Sequence, residues 1–388
     1  MLTVLAEASS IGEQCYVYAT CGETQLNYLD TLPFPMKKGE VSRGNIQWKY
    51  SPTRHDIQSS LLREIEDYDA ILGINLFNPI WRDIYGAPSK MTRKGIPTLL
   101  AMLRRGNRPD HLDGNLQYNN VGPKIFGIEH SWNEIYNSRD GGIARGAQLF
   151  CNTQVSRRIL LQLGAPPEQL ESHGSPWLQL SDLFGRNVHK ENLVTFLMPH
   201  NAWFEQTPGL VQYVSDLAAS IKQICHEKGW QLILKTRSKY GADIDSSVFD
   251  EVVTDDNAFD HLDLYARSRI ALHFCSSAVC ELAFTRTCSI TVLPSQNMRI
   301  HSRNRSLQRS KRLIHEQYYN PSDFLSCSPF ATYVEDHTTI QEVIGYLMEQ
   351  SSEDLDWEGF QQRFFPSDKP HYNAGKNILE RMLELVAR

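Results

Sequence analysis

Arg269-Ile-Ala-Leu-His-Phe-Cys-Ser-Ser-Ala-Val-Cys-Glu281 reads as a buried strand, a tight polar turn and the opening of a helix. Residues 270–274 form a short, mostly apolar run suited to a strand covered on both faces. Ser276 and Ser277 then fall where the helix begins. At such a point the first backbone N–H groups lack intrahelical partners and the positive end of the helix dipole faces the same spot, so a phosphate or pyrophosphate fits. Glu281 comes four residues after Ser277, one turn along on roughly the same face. A carboxylate there can accept hydrogen bonds from two ribose hydroxyls. The competing reading is that the serines only cap the helix and Glu281 faces solvent, since Ser is among the commonest N-cap residues.

Outward from this stretch, strand-like and helix-like segments alternate. In the first half, strands are expected at 2–5, 16–19, 70–76, 124–128 and 148–151, with a polar helix at 55–66, a further unit at 98–105, and a helix at 155–163 stopped by Gly164. A strand near Ser172 leads into His173-Gly-Ser-Pro-Trp177, a tight turn in which Gly174 is a candidate for positive φ. The polar segment 181–192, containing Gly185, separates this half from the next. The second half restarts with strands at 193–198, 231–234, 251–253, 270–274 and 290–293, and helices at 210–228 (ended by Gly229) and 262–268. Thr339-x-x-Glu342 resembles a capping box, and 377–386 repeats apolar residues at helical spacing. The expected fold class is α/β, with parallel sheets, two Rossmann-like domains facing a cleft, and C-terminal helices. The boundary is placed between 1–185 and 186–388.

A chain of 388 residues exceeds the usual size of one core, which fits two domains. The fractions of 41% hydrophobic and 22% charged residues are those of a globular protein, and a net charge of −6 argues against a nucleic-acid-coating role. No window reaches the roughly 18 apolar residues that cross a bilayer, and the amino terminus lacks a basic stretch followed by an apolar one, so a cytoplasmic location is expected. The eight cysteines form no C-x-x-C pair and are read as free core residues.

In open parallel sheets ligands bind beyond the carboxyl ends of the strands. Three stretches after strands in the second half are therefore singled out: His200 within Pro-His-Asn-Ala-Trp-Phe204, the cations Lys235, Arg237 and Lys239, and the Ser-Ser turn. The three cations would neutralise a diphosphate as charge develops on it, or alternatively form a solvated basic loop. In the first half Glu129-His130 pairs a carboxylate with an imidazole, the groups a general base requires; a structural histidine is the other reading. The basic stretch 299–312 would be a lid, a face near anionic lipid, or a solvated segment. No Asp-x-Asp pair follows a strand, which points to chemistry independent of metal, and no resident cofactor is expected.

With these residues in view, the chain resembles the GT-B superfamily of nucleotide-sugar-dependent glycosyltransferases and its relatives, the UDP-N-acetylglucosamine 2-epimerases and the polyol-phosphate transferases. The likeness rests on 148–177 and 262–293, about 60 residues. It implies a metal-independent transfer of a sugar from a nucleotide-sugar donor, as substrate, to a hydroxyl acceptor in surface polysaccharide or glycoconjugate assembly. Ser276 and Ser277 would hold the phosphates and Glu281 the ribose, with His200 and Lys239 also on the donor. His130, with Glu129 second, would take the acceptor proton, and Lys235 and Arg237 would stabilise the leaving group. The acceptor would be a glycan or lipid-linked, with peripheral association at the inner face of a membrane and no nucleic-acid partner. Two departures weaken the phosphotransferase version: no Gly follows His130, and Lys-Thr-Arg-Ser-Lys239 replaces a Lys-x-His-Pro pattern. The alternatives are a nucleotide-sugar epimerase or hydrolase, and a catalytically silent scaffold.

Overall fold

The computed structural model describes residues 3–4, 7, 11, 15–19, 46–50, 69–74, 124–129, 147–186, 188–199, 209–236, 244–254, 259–274, 276–292, 312–314, 331–334, 337–350 and 355–387. The chain divides into two compact units, Met1–Pro176 with Ser367–Arg388, and Trp177–Pro366.

In the first unit, β1 (Cys15–Ala19) pairs in parallel with β2 (Ile46–Tyr50). A second parallel sheet runs in the order β3 (Ala70–Ile74), β4 (Lys124–Ile128), β5 (Ala147–Phe150) and β6 (Leu170–Glu171). Between β5 and β6 lies α1 (Gln154–Gln162), capped at its start by the Thr153 hydroxyl, which accepts from the Ser156 amide. Residues 2–5, expected as a strand, instead contribute Thr3 and Val4 to a helical turn; Val4 is buried in the core beside Phe126, Ile128 and Phe150. A short apolar run satisfies either a strand or a buried helical turn, and here tertiary packing decides.

The second unit begins inside α2 (Pro176–Arg186). Its sheet contains six parallel strands: β7 (Glu191–Leu197), β8 (Gln231–Thr236), β9 (Glu251–Thr254), β10 (Ser268–His273), β11 (Cys288–Val292) and β12 (Ala331–Val334). They lie in the spatial order β9-β8-β7-β10-β11-β12, the doubly wound arrangement. Leu193, Val194, Thr195 and Phe196 are all fully buried, as expected of a parallel strand covered on both faces. The helices are α3 (Leu210–Lys228), α4 (Asp260–Arg267), α5 (Ala278–Phe284), α6 (His337–Glu349) and α7 (Trp357–Phe364). α3 ends at Gly229 as its sequence indicates, and buries Leu210, Val214, Leu217, Ala218, Ile221 and Cys225 along one stripe. Thr339, read as a cap, is already the third residue of α6. α7 was not anticipated, although Trp357, Phe360 and Phe364 carry helical spacing.

Two boundary expectations differ from the observed division. Residues 181–186, read as a linker, continue α2, and the division falls at Pro176/Trp177. Gly185 lies where α2 crosses the end of α5 too closely for a side chain: a Cβ there would stand 2.7 Å from the Phe284 carbonyl oxygen. The last helix, α8 (Ala374–Val386), belongs to the first unit, not the second. The reason is its apolar face: Ile378, Leu379 and Met382 are buried against Phe126, Ile128 and Phe150. Arg381 of the same helix forks onto Glu171, Nη2 to Oε1 at 2.7 Å and Nε to Oε2 at 2.8 Å. Gly174 adopts φ +89°, and a Cβ would come within 3.2 Å of the His371 backbone. No helix among the described residues is long and apolar enough to cross a membrane.

Candidate functional site

The chain leaves β7 in one direction along the sheet and returns to β10 on its other side. The carboxyl ends of these two strands therefore form a topological switch point, the position at which doubly wound sheets bind ligands. β10 delivers the Ser-Ser turn there. The base of the turn is His273, fully buried and opposite Thr291 of β11. Its Nδ1 accepts the Ser276 amide at 3.3 Å, which places the ring proton on Nε2, 3.1 Å from the Thr291 hydroxyl as donor. Burial pushes the imidazole down from 6.5 to about 3, so the ring is neutral at physiological pH.

The remaining amides of the turn are largely consumed within it. Ala278 N–H donates to the Ser276 hydroxyl at 3.2 Å, Val279 N–H to the Ser276 carbonyl and Cys280 N–H to the Ser277 carbonyl, both at 3.1 Å. Within the turn's described residues, Ser277 keeps both amide and hydroxyl without a hydrogen bond. Ser277 occupies the N-cap position of α5 without a side-chain cap bond, and the Ser276 hydroxyl is used within the turn. Glu281 does not face open solvent, its side chain being 15% exposed. Its Oε1 accepts the Trp177 indole N–H at 2.7 Å, and His261 Nε2 lies 3.6 Å from Oε2. Trp177 in turn stacks on His261 (centroids 5.6 Å, 21°) and on Phe259 (6.4 Å, 27°). The carboxylate is held in one orientation by rings that are themselves held.

Lys235, near the carboxyl end of β8, is 5% exposed and pairs in register with Leu197 of β7. Leu272 pairs with Phe196, so Lys235 and His273 stand in one row, two strands and roughly 10 Å apart. In-register neighbours of a parallel sheet project to the same face, which puts a buried cation on the face that carries the turn. Glu129, at the carboxyl end of β4 in the first unit, is 2% exposed and accepts the Asn152 amide at 2.7 Å through Oε2. His130, His200, Arg237 and Lys239 lie outside the described residues. Trp177, His261 and His273 were not singled out as site residues in the sequence. Their signals were a Trp closing the His-Gly-Ser-Pro-Trp turn, a His just before the 262–268 helix and a His inside an apolar strand.

No protein-family model matches the chain and no curated protein matches it in sequence. Among solved structures, the UDP-N-acetylglucosamine 2-epimerase from Rickettsia bellii superposes with a TM-score of 0.53, 13% identity, and coverage of 99% of this chain and 91% of that one. A UDP-N-acetylglucosamine 2-epimerase-type structure from Listeria monocytogenes gives 0.52, 9%, 99% and 92%. The fold is GT-B. The wall teichoic acid polymerase TagF also matches, at a TM-score of 0.49 and 9% identity, over 100% of this chain and 92% of that one. Within this GT-B fold, the second unit carries the six-stranded doubly wound sheet and the switch-point turn described above.

Proposed function

We propose that this chain is a metal-independent GT-B glycosyltransferase, moving a sugar from a nucleotide-sugar donor to a hydroxyl acceptor in surface polysaccharide or glycoconjugate assembly. The observation that carries the reading is the fixed Glu281 carboxylate, oriented by Trp177 one turn beyond the unbonded amide and hydroxyl of Ser277 at the switch point. In this reading Glu281 accepts the ribose hydroxyls, Ser277 donates to a phosphate oxygen, and Lys235, with Arg237 and Lys239, offsets the charge that develops on the departing nucleotide. Ser276 and His273 position the turn. His130 takes the acceptor proton, with Glu129 the second candidate base. His200 completes the donor contacts, and the basic stretch 299–312 meets a lipid-linked acceptor at a membrane surface.

The test is isothermal titration with UDP-, GDP-, CMP- and CDP-linked sugars, using wild type and Glu281→Gln. The Gln carbonyl preserves the bond from Trp177 while the charge is lost. A hydrogen bond to a charged group contributes about 1.5–3 kcal/mol, so a loss of roughly 10-fold or more in affinity for one nucleotide class is expected. Absence of binding by every donor, or equal binding by the variant, overturns the assignment. Donor consumption in acceptor-free reactions would identify an epimerase or hydrolase instead.

A further inference from the structure

At the opposite, amino edge of the six-stranded sheet the second unit contains a cavity of about 400 Å3. Its charged lining consists of Arg186, Lys190, Arg286, Asp356 and Glu358, and Trp357 supplies an aromatic wall. Most of these charges are already committed. The Lys190 ammonium lies 2.9 Å from the Ser268 and Thr285 carbonyls and the Thr287 hydroxyl, and 3.3 Å from the Tyr265 carbonyl, so its three donors are used in closing the ends of α4 and α5. Arg186 Nε pairs with Asp182 at 2.8 Å. Asp356 caps α7 by accepting the Gly359 amide at 2.9 Å.

Arg286 is held less fully, acting on Asp182 through its charge. Its Nε is buried and makes no hydrogen bond. Its backbone is also anomalous: φ is +60°, the only positive value outside glycine among the described residues. It occupies the left-handed position that ends α5, where the Thr287 amide returns to the Leu282 carbonyl at 2.9 Å and glycine is the usual occupant. A bulky, β-carbon-bearing residue is strained there, and its charge favours the ionised form of the buried Asp182 carboxyl. The strained Arg286 lines a cavity of small-molecule size, and its guanidinium, whose charge also acts on the Asp182 carboxylate, is a group matched to an oxyanion.

We propose that this cavity is a second binding site, taking a hydroxyl-rich small molecule with one oxyanion, a sugar phosphate or sugar acid. The oxyanion pairs with Arg286. Glu358 and the free oxygen of Asp356 accept hydroxyl protons, and Trp357 covers an apolar face. The site lies at the end of the strands away from the Ser276–Ser277 turn, so its occupancy is independent of the donor assignment.

The test uses the intact chain and two variants, Arg286→Gly and Arg286→Lys. Gly relieves the left-handed strain, so Arg286→Gly is expected to fold with an unliganded melting midpoint equal to or above wild type. Titration calorimetry with glucose 6-phosphate, glucuronate, inorganic phosphate and glucose is expected to show saturable one-to-one binding of at least one of the first two by wild type. Binding should fall at least 10-fold in Arg286→Gly, and partly in Arg286→Lys, which keeps the charge without the fork. Glucose, lacking the oxyanion, should bind at least 10-fold more weakly. No saturable binding by wild type, equal binding by Arg286→Gly, or equal binding of glucose each overturns the proposal. Phosphate bound as tightly as glucose 6-phosphate would reduce the site to a simple anion site and overturn the hydroxyl-recognition part.

Discussion

His273 is expected to make the second unit acid-labile in a way that one substitution removes. The imidazole is fully buried, and burial alone carries its pKa from 6.5 to about 3. A histidine held neutral in the folded state contributes stability that is complete above pH 6.5 and is lost as pH falls toward 3, because the unfolded chain takes up a proton that the folded chain refuses. At about 1.4 kcal/mol per pH unit, the whole interval corresponds to ~5 kcal/mol, a third or more of a typical domain's stability. Protonation would also set N–H against N–H at Nδ1, which accepts the Ser276 amide, so the turn opens with the titration. Urea unfolding followed by tryptophan fluorescence at pH 7.5, 6.5, 5.5 and 4.5 measures the effect, comparing wild type with His273→Gln. The Gln amide can accept from Ser276 and donate to Thr291 but does not titrate. Between pH 6.5 and 4.5 wild type should lose about 2–3 kcal/mol more than the variant. Parallel curves for the two proteins would refute the placement of a buried, neutral imidazole beneath the turn.

In the first unit, Arg381→Met should lower the unfolding free energy by about 1–3 kcal/mol at pH 7, by stripping a charged partner from Glu171. Burial raises the Glu171 carboxyl, but the bonds from Arg381 and His173 outweigh it and hold the group below 4.5. The difference between the proteins should therefore be present above pH 4.5 and shrink below it, as urea midpoints at pH 7 and pH 3 would show; a pH-independent difference contradicts the pairing. At the candidate donor site, Lys235→Met should weaken nucleotide-sugar binding by calorimetry at least 10-fold more than Ser277→Ala, since it removes a charge and not a single neutral bond. Equal effects would exclude Lys235 from phosphate contact.

What the sequence made legible was the architecture of the second unit. Parallel strands buried on both faces give continuous apolar runs, so 193–198, 231–234 and 270–274 were recognisable as β7, β8 and β10. α3, with its apolar stripe and terminal Gly229, was legible to the residue. The allegiance of α8 was not, because an amphipathic pattern states that a face is buried without stating against which sheet. The state of the Ser-Ser turn was equally hidden. Whether a helix-start amide is available depends on Nδ1 of His273 three residues upstream, and that ring is oriented in turn by Thr291, far downstream on the neighbouring strand.

Under the proposed transferase reading, that accounting changes where donor affinity must come from. A micromolar complex requires about 8 kcal/mol, whereas a neutral hydrogen bond contributes about 0.5–1.5 kcal/mol. The one amide and one hydroxyl left at Ser277 supply at most a minor share of that total. The balance falls to charged contacts and to burial of the nucleotide's rings. In the proposed reading those charges would be the Glu281 carboxylate, fixed by Trp177, and Lys235, both largely withdrawn from solvent and therefore weakly screened. In the proposed transferase reading, the Ser-Ser turn would act as a geometric stop for the phosphates more than as their main attractor. In that reading His273 would serve by remaining uncharged: a positive imidazole beneath the turn would attract the donor more strongly, yet it would disorder the backbone that aligns it.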